Sequence, residues 1–396
     1  DFLRKDEDAL GHPIEIVAGR EEARLIYLGV AHSLPASPDR RLVVDIGGGS
    51  TECIIGHGLK PHERESLHMG CVNFSKRFFA DGVIDKTALK AAETKARVEV
   101  EAVARAFSKA NWQQAVGSSG TARALREILE QNGWSARGIT ADGLAQLRSQ
   151  MIKAGHTDAL ELAGLARDRR PVIAGGFAIM AGLFAELGIE QMDVAETAMR
   201  EGILYDLLGR FHREDMREAT VDEFMRRYHI DGQQAARVKR VALTLLAAAG
   251  GGDEHDERFL DWAARLHEIG LMVSHGGYHR HSGYILENAD MPGFSRTEQA
   301  RLALLARAQR GALTKLSGFE GVADPDRRLV WLLRQAVIFC RNRAEPKLPE
   351  MKTEIGTTRF RLTLPEGWLE DHPLTQRALE EEAVHWHAVG VKYSFG

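Results

Sequence analysis

Val43-Val44-Asp45-Ile46-Gly47-Gly48-Gly49-Ser50-Thr51-Glu52-Cys53-Ile54-Ile55 is the stretch on which the reading of this chain turns. Two β-branched apolar runs flank a turn with three consecutive glycines, the pattern of a β-hairpin. Glycine admits φ > 0 and leaves no Cβ between backbone N–H groups and an approaching ligand. Successive exposed N–H groups form a concave anion site, to which the Ser50 hydroxyl adds a donor. Asp45 before the turn and Glu52 after it are the types that hold Mg2+, which takes a few carboxylates with waters and phosphate oxygens. A hairpin with no ligand is the plainer alternative, but a structural turn rarely needs three glycines between two carboxylates.

A second stretch has the same character. Ala115-Val116-Gly117-Ser118-Ser119-Gly120-Thr121 leads into Ala122-Arg123-Ala124-Leu125-Arg126-Glu127-Ile128-Leu129, whose apolar residues recur at helical spacing. A short strand, a small-residue turn and a helix start with free N–H groups suit phosphate. Ser-Ser-Gly-Thr also serves as an ordinary helix cap.

With 396 residues, 44% of them hydrophobic, the chain can build roughly two to four domains with real cores. A net charge of -4 argues against nucleic-acid binding and allows at most peripheral membrane association. Cys53, Cys71 and Cys340 are far apart and lack metal-ligand spacing, which fits a reducing, cytoplasmic setting. No signal peptide opens the chain and no apolar run approaches a membrane-spanning length. The first residue is Asp1 rather than methionine, as though the chain were cut from something longer.

Residues 1–208 alternate strand and helix signals, the mark of an α/β layer structure. Pro13-to-Val17 reads as a strand, Glu21-to-Val30 and Leu89-to-Ala110 as helices. Thr140 caps a helix running to about Ala154. Pro171 opens an apolar helix whose Gly175, Gly176 and Gly182 permit close packing or a ligand's approach. Met192-to-Val194 is a short strand before a helix over Met199-to-Leu208. A polar segment from Gly209 to Thr220 marks a boundary, and residues 221–343 read as nearly all helix, interrupted by Gly250-Gly251-Gly252. Thr358-to-Leu364 and Val389-to-Phe395 alternate as strands around a helix over Pro373-to-Trp386.

At these motifs the chain resembles the exopolyphosphatase / guanosine pentaphosphate phosphohydrolase family. That family shares the actin-like/Hsp70-type ATPase fold, an α/β, ribonuclease H-like architecture. The resemblance rests on Glu21-Glu22-Ala23-Arg24-Leu25, Asp45-to-Glu52, Met69-Gly70-Cys71-Val72, Gly117-to-Thr121 and Met199-to-Tyr205, in this order. It extends to Leu266-to-Gly270 and His279-Arg280-His281-Ser282. It implies four segments: residues 1–30, the remnant of a first actin-like domain; 31–208, the second actin-like domain; 209–345, an all-α HD-like domain; and 346–396, a small α+β domain. The family's first phosphate loop, an Asp-x-Gly-Ser hairpin, has no counterpart here, so the first domain is expected to be incomplete.

The resemblance further implies an exopolyphosphatase, which releases orthophosphate from the ends of inorganic polyphosphate. The alternatives are hydrolysis of the 5′-phosphate of guanosine pentaphosphate and a non-catalytic regulator that binds alarmone or polyphosphate. It implies Mg2+, with a monovalent cation such as K+ as a further candidate, and a homodimer. Phosphoryl transfer asks a protein mainly to position an in-line water and to neutralise charge. By its place in Glu-Glu-Ala-Arg-Leu, Glu22 is implied by the resemblance to be the general base or a water-orienting carboxylate. Asp45 and Glu52 are implied to hold metal, directly or through water. Gly47, Gly48 and Ser50 cradle the terminal phosphate, with Ser118, Gly120 and Thr121 facing them.

Arg170, in the loop Arg167-Asp168-Arg169-Arg170, suits contact with an anionic polymer because the guanidinium fork matches phosphate geometry. His279 and Arg280 belong to the densest histidine cluster and are read as further phosphate contacts. Leu266-His267-Glu268-Ile269-Gly270 resembles the His-Asp motif of metal-dependent phosphohydrolases with glutamate in place of aspartate. In Arg237-Val238-Lys239-Arg240-Val241-Ala242, arginine stands where that superfamily has its first histidine. No working metal site is expected there.

Overall fold

The computed structural model describes residues 2–211, 215–316 and 319–396. It divides into two compact units: Val17–Met216, and Arg217–Gly396 with Asp1–Ile16. Helix α1 (Phe2–Leu10) belongs to the latter. The run Pro13-to-Val17 is not a strand. Its residues join no ladder: the Ile14 N–H donates to Glu7 Oε1 at 2.9 Å, and the Ile16 carbonyl accepts from the Arg296 N–H at 2.8 Å.

Helix α2 (Gly19–Ser33) opens the first unit and is followed by β1 (Arg40–Ile46), β2 (Thr51–His57), β3 (Lys60–Leu67), α3 (Cys71–Phe78) and α4 (Lys86–Glu101). Next come β4 (Gln114–Ser118), α5 (Ser119–Gln131), β5 (Ile139–Thr140), α6 (Ala141–Ala154), α7 (Arg170–Leu187), β6 (Gln191–Val194) and α8 (Met199–Phe211). Helix α4 ends well before Ala110, where the sequence pattern carried it. The six strands are ordered β3-β2-β1-β4-β6-β5. β1–β2 and β2–β3 are antiparallel, β1–β4 and β4–β6 parallel. This is the ribonuclease H-like arrangement of the actin-like fold.

Strand period 2 sends alternate residues to opposite faces. Val43, Ile54 and Val116 pack under Ala23, Ile26, Tyr27 and Val30 of α2. Leu42, Val44, Cys53 and Ile55 face the larger core made with α3, α4, α5 and α7. Helix α7 has the length and apolarity of a membrane span, which the sequence reading did not credit to any segment, yet it is largely buried in this core. Its glycines serve helix packing. A Cβ on Gly176 would come within 2.5 Å of Thr121, and one on Gly182 within 2.8 Å of Ala96.

The second unit contains α9 (Met216–Arg227), α10 (Gly232–Ala248), α11 (Glu254–Leu266), α12 (Tyr278–Asn288), α13 (Arg296–Ala308) and α14 (Asp324–Phe339). Then follow β7 (Lys352–Ile355), β8 (Arg359–Thr363), α15 (Trp368–Asp371), α16 (Pro373–His387) and β9 (Lys392–Phe395), the strands ordered β7-β8-β9. The C-terminal strands do not form a core of their own: Phe360, Trp386 and Tyr393 share one with Trp262 and Trp331.

Helices α2 and α8 cross so closely that a Cβ on Gly29 would lie 2.0 Å from the Ala198 carbonyl, and one on Gly202 1.8 Å from that of Leu25. Backbone cannot yield as a flexible side chain does. Overpacking of this kind costs about 1–3 kcal/mol, which lowers Tm by several degrees in a unit of this size. Gly202→Ala is expected to do so in a thermal melt; an unchanged Tm would show that the two helices can move apart without loss.

Candidate active site

Backbone register sets up the site. Asp45 lies directly opposite Glu52 across the β1–β2 hairpin, Ser118 is aligned with Asp45 on β4, and Ser66 with Glu52 on β3. Ser66, Glu52, Asp45 and Ser118 therefore form one row across four strands. This row continues the α2-facing side of the sheet beyond Val43, Ile54 and Val116. Ser118 Oγ donates to Asp45 Oδ2 at 2.5 Å and Ser66 Oγ donates to Glu52 Oε1 at 2.8 Å. Both carboxylates are buried, Glu52 to 1% exposure.

The first turn of α2 stands over this row, Gly19 lying against Ser66. Glu21 turns to α8: its carboxylate holds Arg24 bidentately, and Arg24 Nη2 also reaches Asp206 at 2.5 Å. Glu22 is half-buried and has no hydrogen-bond donor among the described residues. Burial, and then the charge of Asp45, raise its pKa. Asp45 is likewise raised by burial, against the Ser118 hydrogen bond and the Arg123 charge. Glu52 is pushed up to about 7 by burial, with Glu22 and Asp45 adding to it and hydrogen bonds from Ser50 and Ser66 opposing. The three acids thus share one field. No group of three His, Cys, Asp or Glu among the described residues could by itself hold a metal ion. Mg2+ needs only one or two carboxylates when phosphate and water complete its shell, so Asp45 and Glu52 suit it.

The hairpin turn differs from expectation in detail. None of Gly47, Gly48 and Gly49 adopts positive φ. The Gly47 N–H is spent on the Ser50 carbonyl at 2.9 Å, and the Ser50 hydroxyl on Glu52, so neither is a free donor. The Gly47 and Gly48 carbonyls accept from Cys71 and Val72 at the start of α3, at 2.9 and 3.0 Å. The N–H groups of Gly48 and Gly49 have no acceptor among the described residues. A Cβ on either would meet nothing nearer than 3.4 Å. With neither φ nor packing demanding glycine there, the open side of the turn is room for a ligand.

The turn from β4 into α5 is similar. The Ser118 hydroxyl goes to Asp45, and Thr121 Oγ1 donates to the Ile46 carbonyl at 3.1 Å, so both hydroxyls brace the hairpin and neither is free for phosphate. The residue that sequence reasoning missed is Ser119. It sits at φ 82, a left-handed conformation rare for a side-chain-bearing residue, and its buried Oγ has no partner. Only Ser-Ser at a strand-to-helix junction hinted at it. The N–H groups of Ser119, Gly120 and Thr121 open α5 without helical acceptors. Arg169 lies against Gly120: a Cβ there would be 2.4 Å from Nη2, the movable end of the Arg169 side chain. Arg169, rather than the expected Arg170, covers this turn; Arg170 instead reaches the Asp158 carbonyl at 3.4 Å.

His279 and Arg280 lie in the second unit. Burial and the nearby Arg310, Arg280 and Arg334 push His279 down to about 4, so at neutral pH it is not a cation. In the HD-like motif, Glu268 is held bidentately by Arg343 at 2.8 and 2.9 Å, which leaves it no vacancy for metal.

The sequence pattern of the Ppx/GppA phosphatase family matches residues 1–211, and that of Ppx/GppA phosphatase, domain III, matches residues 216–383. Among solved structures, the chain is similar to an exopolyphosphatase from Cytophaga hutchinsonii at 22% identity, over 52% of this chain and 69% of that one, with a TM-score of 0.46. It is similar to the Ppx/GppA enzyme of Aquifex aeolicus at 27% identity, over 51% and 68% respectively, with a TM-score of 0.43. On the family match across more than half of its length, this chain belongs to the Ppx/GppA phosphatase family.

Proposed function

We propose that the carboxylate row is the catalytic centre of an exopolyphosphatase. One observation carries the reading: an unpartnered acid, Glu22, faces a buried Asp45–Glu52 pair beside two arrays of free backbone N–H groups. The Gly48–Gly49 and Ser119–Thr121 arrays, with Arg169 against the second, offer donors of the kind that hold phosphate oxygens. Mg2+, when held by Asp45 and Glu52, neutralises charge on the phosphates. Glu22 takes a proton from the attacking water as its oxygen bonds to the terminal phosphorus. The bond to the bridging oxygen breaks, orthophosphate leaves, and the chain is one phosphate shorter. The surrounding groups match phosphates, which favours a substrate recognised by them alone. Phosphate release from long-chain polyphosphate is expected to exceed that from guanosine pentaphosphate at equal concentration; the reverse order would overturn the substrate assignment.

Glu22→Gln should lower kcat by about 10²–10⁴-fold, the usual contribution of a positioned base, with little change in polyphosphate affinity. A variant keeping more than about a tenth of the wild-type rate would remove Glu22 from this role.

Asp45→Asn and Glu52→Gln should each raise the Mg2+ concentration for half-maximal rate. A pH dependence follows from Glu52. With a pKa raised to about 7, it is protonated below neutrality and must lose its proton to bind a cation. Half-saturating Mg2+ should therefore fall as pH rises from 6 to 8, and Glu52→Gln should flatten that slope. Stability runs the other way. A carboxyl with a raised folded-state pKa stabilises the fold fully below the unfolded value of 4.5, and this is lost as pH passes about 7. Metal-free Tm should decline over that window and recover with Mg2+. Superimposable Mg2+ titrations at pH 6 and 8 would refute the metal-holding assignment.

A further inference from the structure

The helical unit holds a cavity of about 500 Å³ whose walls include His267, Tyr278, Gln309, Arg310, Arg341 and His385. That volume falls within the ~300–1,000 Å³ of small-molecule sites. Its charges do not cancel. Arg334 is held by both oxygens of Glu382 at 2.5 and 2.6 Å, Arg343 by both of Glu268, and Glu381 turns to Arg377 at 3.1 Å. Arg310 and Arg341 have no carboxylate among the described residues. Arg341 donates to the Ile338 carbonyl at 2.8 Å and the Thr375 hydroxyl at 3.4 Å, and Arg310 lies over the Tyr278 ring, 5.2 Å from its centroid. Desolvation alone draws the pKa of Arg341 down, the mark of a cation without a counter-charge.

The same walls supply acceptors. Gln309 gives its amide N–H groups to the carbonyls of His267 and Ala306, leaving its buried Oε1 with no donor. A buried acceptor left unmade is costly, so a partner is called for. His267 donates from Nδ1 to the Ala264 carbonyl at 2.7 Å, and burial keeps the ring neutral, which makes Nε2 an acceptor.

We propose that this cavity binds a phosphorylated small molecule of the nucleotide class, with Arg310 and Arg341 on its phosphates and Gln309 and His267 accepting from its O–H or N–H groups. Two guanidinium forks suit phosphate oxygens, and unpaired acceptors suit a sugar hydroxyl or a base amine, which inorganic phosphate chains lack. Such a ligand occupies a different unit from the carboxylate row, so its binding and polyphosphate turnover can be separated by mutation.

ADP is the probe. On titration into the full chain, histidine-ring NMR should show shifts of His267 and His385, and calorimetry should show a binding event that survives Asp45→Asn. Arg310→Gln and Arg341→Gln, both at exposed positions, should each weaken that event about tenfold while polyphosphate turnover stays at the wild-type rate. Pyrophosphate, which has the phosphates but no base or sugar, should bind at least tenfold more weakly than ADP. Equal affinity for the two would overturn the nucleotide assignment. Unmoved His267 and His385 resonances, or affinity unchanged in both arginine variants, would overturn the site.

Discussion

The pairing register of β1 is the constraint on which the first unit depends. A slip of one residue in a strand sends every side chain to the other face. In β1 that would bury Asp45 among the leucines, valines and aromatics of the larger core and turn Val44 to α2. The apolar rows on both faces fix the register, Val43–Ile54–Val116 on one side and Leu42, Val44 and Ile55 on the other. Ordinary hydrophobic burial thereby delivers two acids to one spot at the strand ends. Their burial raises both pKa values, and the hydroxyls of Ser66 and Ser118 offset part of that cost.

Helix geometry completes the constellation. Successive residues project about 100° apart around a helix, so Glu21 and Glu22 cannot face the same neighbour. Glu21 goes to Arg24, which Asp206 of α8 also grips, and this fixes the rotation of α2 about its axis. The backbone approach at Gly29 and Gly202 fixes its height. With rotation and height both set, Glu22 is directed at the sheet without a hydrogen bond of its own. An acid held in place by its helix, and not by a donor, has its lone pairs open, as the proposed mechanism asks of Glu22.

Much of this was legible because it is local. Three glycines between β-branched runs predict the hairpin, and periodicity predicts α2, α6, α7 and α16. Asp45 and Glu52 follow from the hairpin alone, since they flank it symmetrically. What failed depended on contacts distant in sequence. The hydroxyls of Ser118 and Thr121 go to Asp45 and the Ile46 carbonyl, more than seventy residues earlier, so that of Thr121 only the N–H stays open to a ligand. The choice of Arg169 over Arg170 depends on how α7 meets Gly120, which adjacent arginines do not reveal. Pro13-to-Val17 has strand composition but no partner strand, and composition cannot supply one.

The carboxylate row of the first unit and the helical unit treat buried acids in opposite ways. In the row, Glu22 and Glu52 pair with no arginine among the described residues, and Glu22 and Asp45 add to the burial that raises the pKa of Glu52. In the second, each buried acid is neutralised by a fork of guanidinium nitrogens, Glu268 by Arg343 and Glu382 by Arg334. A bidentate arginine satisfies the same oxygens that a metal would take, and it cannot be titrated away. Against the metal-holding His-Asp pattern it resembles, His267-Glu268 therefore differs by more than one ligand. The longer glutamate reaches Arg343, and the internal ion pair stands where a cation would have to compete for both carboxylate oxygens. On the wall of the cavity beside it, Arg310 and Arg341 have no carboxylate among the described residues and His267 is a neutral imidazole, a set of groups suited to anions.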